Sequence, residues 1–319
     1  MAQPAMTRKT GLLWLGVAVL AAVFVLAGSG LDVDYVIPKR LVRLAAMLVG
    51  GVCVATSSIL FQTLTGNRIL TPAIMGYEAV YLLLQASLVL ALGMGSVVLL
   101  GRDGNFWVSM LAMLAYSWGI HRWLFRGARR DVVFLLLLGL VLTMVMSTFT
   151  QFVQLRTSPG EFAVLQGFSQ ASFNRVAPGQ LLQGALLAGV ACVAAWRMLP
   201  VLDVLALGRD QAQSLGVDHG RYVARVLAVI AVLVAVSTSL LGPTAFMGIF
   251  VANIAYALAN TSRHRTTLPL GCGIAIGMFI AAQTLVEQVF NYRTTVGILV
   301  NLVCGAYFLF LMIRSRGPA

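Results

Sequence analysis

Long apolar runs alternate with short polar breaks from one end of the chain to the other, and the runs have membrane-spanning length. An α-helix rises about 1.5 Å per residue, so roughly 20 apolar residues cross a hydrocarbon core of about 30 Å. Ten spans are predicted on this basis. The first covers Gly11 to Gly28 behind Arg8 and Lys9, and is longer than the apolar core of an ordinary signal peptide. The next four lie at about 41–62, 76–95, 106–125 and 132–154, and the sixth at 181–198. The seventh covers about 222–241. Gly242-Pro243 opens a short eighth that ends near Leu258, and 269–290 and 296–313 complete the set. The polar, aromatic-bearing segment from Arg156 to Pro178 is too interrupted to span. Alternating ten-residue strands are absent, which argues against a barrel.

Residues 199–221 break the pattern. They separate two apolar blocks, are punctuated by Gly208, Gly216 and Gly220, and read as a short amphipathic helix pair. Val204, Leu207, Ala212 and Leu215 form a partial apolar face, with Arg209, Asp210, Gln213 and Ser214 turned to solvent or a partner. One docking surface between two hydrophobic halves implies that something soluble pushes on it from one side.

Composition agrees with the class: 60% of the 319 residues are hydrophobic, 10% are charged, and the mean hydropathy is +0.92. The net charge of +12 is explained by position. With both termini inside, fifteen Lys and Arg residues fall on the inner side and seven on the outer. The positive-inside rule then places both termini and residues 199–221 in the cytoplasm. Nucleic-acid binding needs no place in this account. Cys53, Cys192, Cys272 and Cys304 all fall in apolar runs and read as packing residues, with no disulfide or metal framework.

Candidate chemistry is sparse. Glu78 and Glu287 are acids at the edges of apolar spans, and interfacial placement is favoured over a proton relay. His121, beside Arg122 near the cytoplasmic end of the fourth span, reads as interfacial, and His219 and His264 read as cytoplasmic loop residues with no Cys or carboxylate at metal spacing, so no metal site is expected. Thr143, Thr148, Thr150 and Gln151 in the fifth span can line a path or simply bond their own backbone. Asn253 and Asn301 read as buried interhelical glue, and Met144 and Met146 as packing. Gly-x-x-x-x-Gly-Lys-Ser/Thr is absent, so the chain has no P-loop and is expected to be a transport subunit rather than an enzyme. The acids are too few and too peripheral for an ion-coupled secondary transporter. Thr71-Pro72-Ala73-Ile74-Met75-Gly76 and Gly242-Pro243-Thr244-Ala245-Phe246-Met247-Gly248 echo one another from what the span count makes opposite faces, as an inverted repeat would.

Several of these stretches together resemble the permeases of the iron-siderophore, haem and cobalamin branch of ABC importers, the FecCD/BtuC-like permeases. The resemblance rests on Ile37-Pro38-Lys39, on Asn67 to Gly76, on Leu207-Gly208 with Ala212 to Val217, and on Gly242-Pro243 through Phe246-Met247-Gly248. Ala252-Asn253 and Asn67-Arg68-Ile69 depart from the family's usual Pro-His and Asn-Pro-Leu. Met75 to Glu78 and Ala171 to Arg175, including Asn174 as a further pathway candidate, look most like the ferric catecholate-type siderophore permeases.

The resemblance implies an all-α BtuC-like type II ABC importer permease of about ten spans, one transmembrane domain over 1–319, with a cytoplasmic coupling segment at about 199–221. It implies a second permease subunit, two cytoplasmic ATPases that use the ATP, a periplasmic siderophore-binding protein, surrounding membrane lipid, and no cofactor on this chain. Haem or cobalamin is the alternative cargo. Asp203, Leu207, Gly208, Arg209, Ala212, Leu215, Gly216 and Val217 are then the ATPase-coupling residues. Lys39, Arg40, Arg43 and Arg293 are the residues expected to meet the binding protein.

Overall fold

Small residues decide which helix sits at the centre. In the computed structural model, which describes residues 4–27, 34–93, 100–124, 132–244 and 246–315, the helix Val36–Thr65 buries Ala46, Gly50, Gly51, Cys53, Ala55, Ser57 and Ser58 along its length. Two neighbours approach it to backbone range. A Cβ on Gly50 would lie 2.2 Å from Leu241 Cδ1, and one on Gly51 2.8 Å from Ile276 Cγ1 and 3.0 Å from the Ile276 nitrogen. Helices in lipid have no hydrophobic drive toward one another, so close packing of small residues is what holds such a bundle.

The described residues form twelve α-helices. These are α1 (Pro4–Leu26), α2 (Val36–Thr65), α3 (Tyr77–Leu92), α4 (Gly101–Leu124), α5 (Val132–Gln154), α6 (Pro159–Ser169), α7 (Pro178–Leu205), α8 (Arg209–Ser214), α9 (His219–Leu241), α10 (Met247–Ala259), α11 (His264–Gln288) and α12 (Val296–Ser315). A 3₁₀ turn, Pro72–Met75, precedes α3. α2 packs against α9 and α11, with α7, α10 and α4 outside them, while α3 and α5 pair at one flank and α1 lies on α11.

Ten of these helices match the ten expected spans; α6 and α8 are the additions. The ends placed at Gly28, at 94–95 and at Phe125, together with Arg126, Arg129, Arg130 and Arg316, lie outside the described residues. Six helices are long and apolar enough to cross a membrane, and α3, α10 and part of α12 are shorter apolar helices. Burial sorts them. The most apolar window of α2 is 72% buried and that of α9 67%, against 11% for α1 and for α5. On the outer helices large apolar side chains point away from the bundle at helical spacing, such as Leu182, Leu186, Val190 and Val193 on α7. In water such a surface would aggregate, but against lipid it is ordinary.

Three expectations are corrected. The sixth span does not stop at Met198: α7 runs through Pro200 to Leu205, because buried Leu199, Leu202 and Leu205 pin the turn that the proline would otherwise break. The segment after α5 contains a helix, α6, whose start is fixed by Pro159 at its first position and a capping box in which Ser158 and Glu161 bond each other's backbone N–H at 3.4 and 2.8 Å. Finally, the two echoing peptides do not lie at opposite faces. A Cβ on Gly248 would be 2.2 Å from Ser58 Oγ and 3.0 Å from Thr71 Cγ2, so both breaks meet inside the bundle.

Candidate functional site

The segment expected to couple to an ATPase folds as a six-residue helix held between two glycines. Gly208 precedes α8 with φ +100 and ψ 168, a region essentially closed to side chains bearing Cβ. Gly216 follows it at φ +80. The Val217 N–H bonds the Ala212 carbonyl at 3.0 Å and the Gly216 N–H bonds that of Gln213 at 2.9 Å, the paired pattern of a Schellman stop. The expected apolar face is split. Ala212 is wholly buried, while Leu207 and Leu215 are 55% and 63% exposed among exposed Arg209, Asp210, Gln211, Gln213 and Ser214. Two apolar side chains thus stand in a polar surface, one on each side of a short and conformationally fixed helix.

Asp203 does not share that surface. It lies in the last turn of α7, where its Oδ1 accepts the His264 backbone N–H at 3.0 Å and faces His264 Nδ1 at 2.5 Å. His264 Nε2 is 2.7 Å from Thr63 Oγ1. His264 is 1% exposed, so a histidine read from the sequence as a loop residue is in fact a buried link between α7, α11 and α2. Nothing in local spacing signals it, since Asp203 and Thr63 are 61 and 201 residues away.

At the opposite end of α2 the four residues expected to form a docking rim divide. Lys39 and Arg293 are exposed, with the Lys39 ammonium 3.7 Å from the centroid of the Tyr35 ring and bonded to its hydroxyl. That hydrogen bond, aided by the positive charge, holds the Tyr35 phenol below its ordinary pKa. Arg40 is a correction. It is 8% exposed and donates to the carbonyls of Phe24, Val25 and Ala27 at 3.0, 3.2 and 2.5 Å, capping the end of α1. Arg43 is largely engaged too, donating to Glu287 Oε1 at 2.6 Å and to the Tyr292 hydroxyl at 3.1 Å. Glu287 lies near a helix end, as expected, but its side chain is 5% exposed and ion-paired, 3.8 Å from Arg40 on its other oxygen. Tyr292 is held at φ +60, in a region unusual for a bulky residue. Lys39→Ala/Arg293→Ala is therefore expected to slow association with a binding protein and flatten its salt dependence, without loss of fold. Surface plasmon resonance at two ionic strengths checks this, and unchanged kinetics would assign both residues to headgroup anchoring.

The pathway candidates are not brought together. Thr143 and Thr148 bond the carbonyls of Gly139 and Met144 on their own helix at 2.7 and 2.9 Å. Thr143 faces the backbone of Gly76, whose Cβ would come within 2.9 Å of its hydroxyl. Gln151 and Asn174 are exposed. Asn253 bonds the Arg68 and Ile249 carbonyls at 2.9 and 2.8 Å, as glue should, but Asn301 is exposed. Glu78 lies in the first turn of α3, at a helix end as expected, and is half-buried. Its Oε1 accepts the Thr244 N–H at 2.9 Å in a cleft lined by Ser57, Ser58, Thr71, Ser237 and Thr238, where the two chain breaks meet. The Gly242 break is braced from outside by Arg175, which donates to the Gln170 and Leu241 carbonyls at 2.7 and 3.3 Å.

Comparison with known proteins places this geometry. A petrobactin import system permease protein of Bacillus subtilis, YclO, is 35% identical over 283 residues, 89% of this chain and 90% of its own. Its counterpart FatC of Bacillus anthracis is 30% identical, over 88% of this chain and 79% of the relative. A solved chain assigned to the metal-chelate type of ABC transporter, in an inward-facing conformation, superposes with a TM-score of 0.84 at 18% identity, covering 97% of this chain and 99% of its own, and thereby shares the fold. The model of the FecCD transport family matches residues 10–314. With the family model matched over nearly its whole length and its described residues folded into twelve helices, this chain belongs to the FecCD transport family.

Proposed function

We propose that the chain is the multi-pass permease subunit of an ABC importer that carries a ferric siderophore from the periplasmic side of the inner membrane into the cytoplasm, driven by ATP hydrolysis in a separate subunit. The observation that carries this reading is the family match over nearly the whole chain. YclO and FatC, each at least 30% identical to this chain, are petrobactin import permeases, which supports a petrobactin-like ferric siderophore as cargo. The exposed α8 surface with Leu207 and Leu215 is the ATPase-coupling site in this reading, and Lys39 and Arg293 belong to the face that meets a binding protein. A second permease completes the path against one of the apolar outer faces.

Reconstitution with its ATPase, second permease and binding protein in proteoliposomes tests the reading. Ferric petrobactin is expected to accumulate only with ATP on the ATPase side. Uptake of haem or cobalamin in its place would overturn the cargo, and uptake driven by an ion gradient without ATP would overturn the class.

Orientation is tested separately. Ser214 is exposed on α8 and Thr266 lies in the first turn of α11. Single cysteines there, with Cys53, Cys192, Cys272 and Cys304 replaced, are expected to resist impermeant maleimide in intact cells and to react in inverted vesicles. Labelling of both from outside would reverse the topology.

A further inference from the structure

We propose that His264 is the positioning residue through which the coupling segment moves the transmembrane bundle. The inference rests on the importer reading above and adds to it the route by which the segment's displacement reaches the core. α8 is joined to the rest of the chain on two sides, and the joints differ. Toward α9 the connection runs through Gly216 and an exposed cap, in which Asp218 Oδ1 accepts the Arg221 N–H at 3.1 Å and its other oxygen lies 3.6 Å from the Arg221 guanidinium. Two side chains that are 56% and 68% exposed, three residues apart, make a compliant and screened joint. Toward α7 the connection runs through Ala206 to Gly208 into a helical turn pinned by buried Leu202 and Leu205, and that turn carries Asp203. Displacement of α8 is therefore delivered to Asp203 rather than dissipated.

Asp203 grips α11 at its first residue. The Arg263 position that should cap α11 makes no side-chain cap, and the Asp203 carboxylate supplies one from another helix, at the end where the helix dipole favours a negative charge. The same oxygen holds the ring at 2.5 Å, and the far nitrogen of that ring reaches Thr63 in the last turn of α2 at 2.7 Å. Because the imidazole is rigid and 1% exposed, it transmits a push between Asp203 and Thr63 that a flexible or solvated side chain would absorb. Beside the link lies a cavity of about 170 Å³ lined by Gln62, Thr63, Arg68, Ala206, Tyr256 and His264. Gln62 Oε1 is buried and unpartnered at its wall. Packed interiors shift between discrete arrangements only where there is room, and this cavity supplies room at the junction of α2, α7 and α11.

The two ring nitrogens allow the role to be dissected in the assembled complex with its ATPase and binding protein. His264→Asn keeps a polar group near the Asp203 side of the ring, and His264→Gln keeps one near the Thr63 side. If both links must act together, each variant assembles at wild-type abundance, keeps the basal ATPase rate, and loses about tenfold in binding-protein-stimulated turnover and in uptake, as loss of one hydrogen bond from the moving state would give. Thr63→Val, which leaves the Asp203 cap of α11 intact, is expected to reproduce the loss, and adding it to His264→Asn should cost little more. A wild-type complex that couples while all three variants couple equally well would overturn the role of His264 and leave the importer reading standing. A wild-type complex in which cargo and binding protein never stimulate ATP hydrolysis would instead overturn the importer reading itself, and the role with it.

Discussion

A Gly216→Val/Ala212→Trp variant is expected to reach the membrane at normal abundance and to lose nearly all uptake. Gly216 sits at φ +80, where a Cβ is strained whatever the surrounding space, and no atom lies within 4 Å of the position the Cβ would take. The cost is therefore one of backbone conformation, about 1–2 kcal/mol, more for a β-branched residue, and it falls on the two hydrogen bonds that stop α8. Ala212 is wholly buried beneath the helix, so an indole there lifts α8 off its seat at a further cost of about 1–3 kcal/mol. Neither change touches a membrane span, so insertion and assembly persist while Leu207 and Leu215 are misplaced. The measurement is ferric siderophore uptake alongside basal and stimulated ATPase rates. Basal hydrolysis should survive and the stimulated rate should fall with uptake. Ser214→Ala, an exposed change on the same helix, should alter stability by no more than about 0.5 kcal/mol and leave uptake intact. Full uptake by the double variant would remove α8 from the coupling role.

Glu287→Ala is expected to destabilise the protein more than any other single change named here. The carboxylate is almost fully buried and neutralises two guanidiniums, Arg43 at 2.6 Å and Arg40 at 3.8 Å, and its Oε1 also accepts from Gln283 at 2.6 Å. Removing one partner of a buried pair leaves an uncompensated charge, which costs about 3–5 kcal/mol, with the lower end apt here because Arg40 keeps its three carbonyls and Arg43 is 21% exposed. Thermal unfolding in detergent, followed by fluorescence size exclusion, should show a clearly lowered midpoint. Arg43→Ala in the same background should recover part of the loss, because the stranded cation goes with it. Arg40→Ala should likewise lower the midpoint, through the lost cap on α1, rather than change association with a binding protein. A Glu287→Ala midpoint equal to wild type would show the cluster to be open to water.

Hydropathy carried most of the fold. The apolar runs and the +0.92 mean hydropathy are local or additive properties, so the long helices and the polar stretch between α7 and α9 were legible from residue order alone. Gly216 was legible for the same reason: a helix stop is written within a few residues of itself, and its φ of +80 follows. Other features were misread for equally physical reasons. Pro200 marked a helix end, but tertiary burial of its neighbours carried α7 onward to Leu205. Thr143 and Thr148 suggested a polar path, but hydroxyls on a membrane helix bond the nearest carbonyl, their own.

The deepest differences lie in the charges. Lys39, Arg40 and Arg43 form one basic run in the sequence, and only the folded chain separates an exposed lysine from an arginine that caps α1 and another that meets Glu287 across 244 residues. Glu78 and His264 are likewise given meaning by distant partners, the Thr244 N–H and the Asp203 carboxylate. The order of residues therefore determined the helices, their apolar character and the family. Tertiary structure alone decided which ionisable groups are buried and paired, because burying a charge in lipid is tolerable only beside its partner, and that partner is brought in by packing rather than by spacing along the chain.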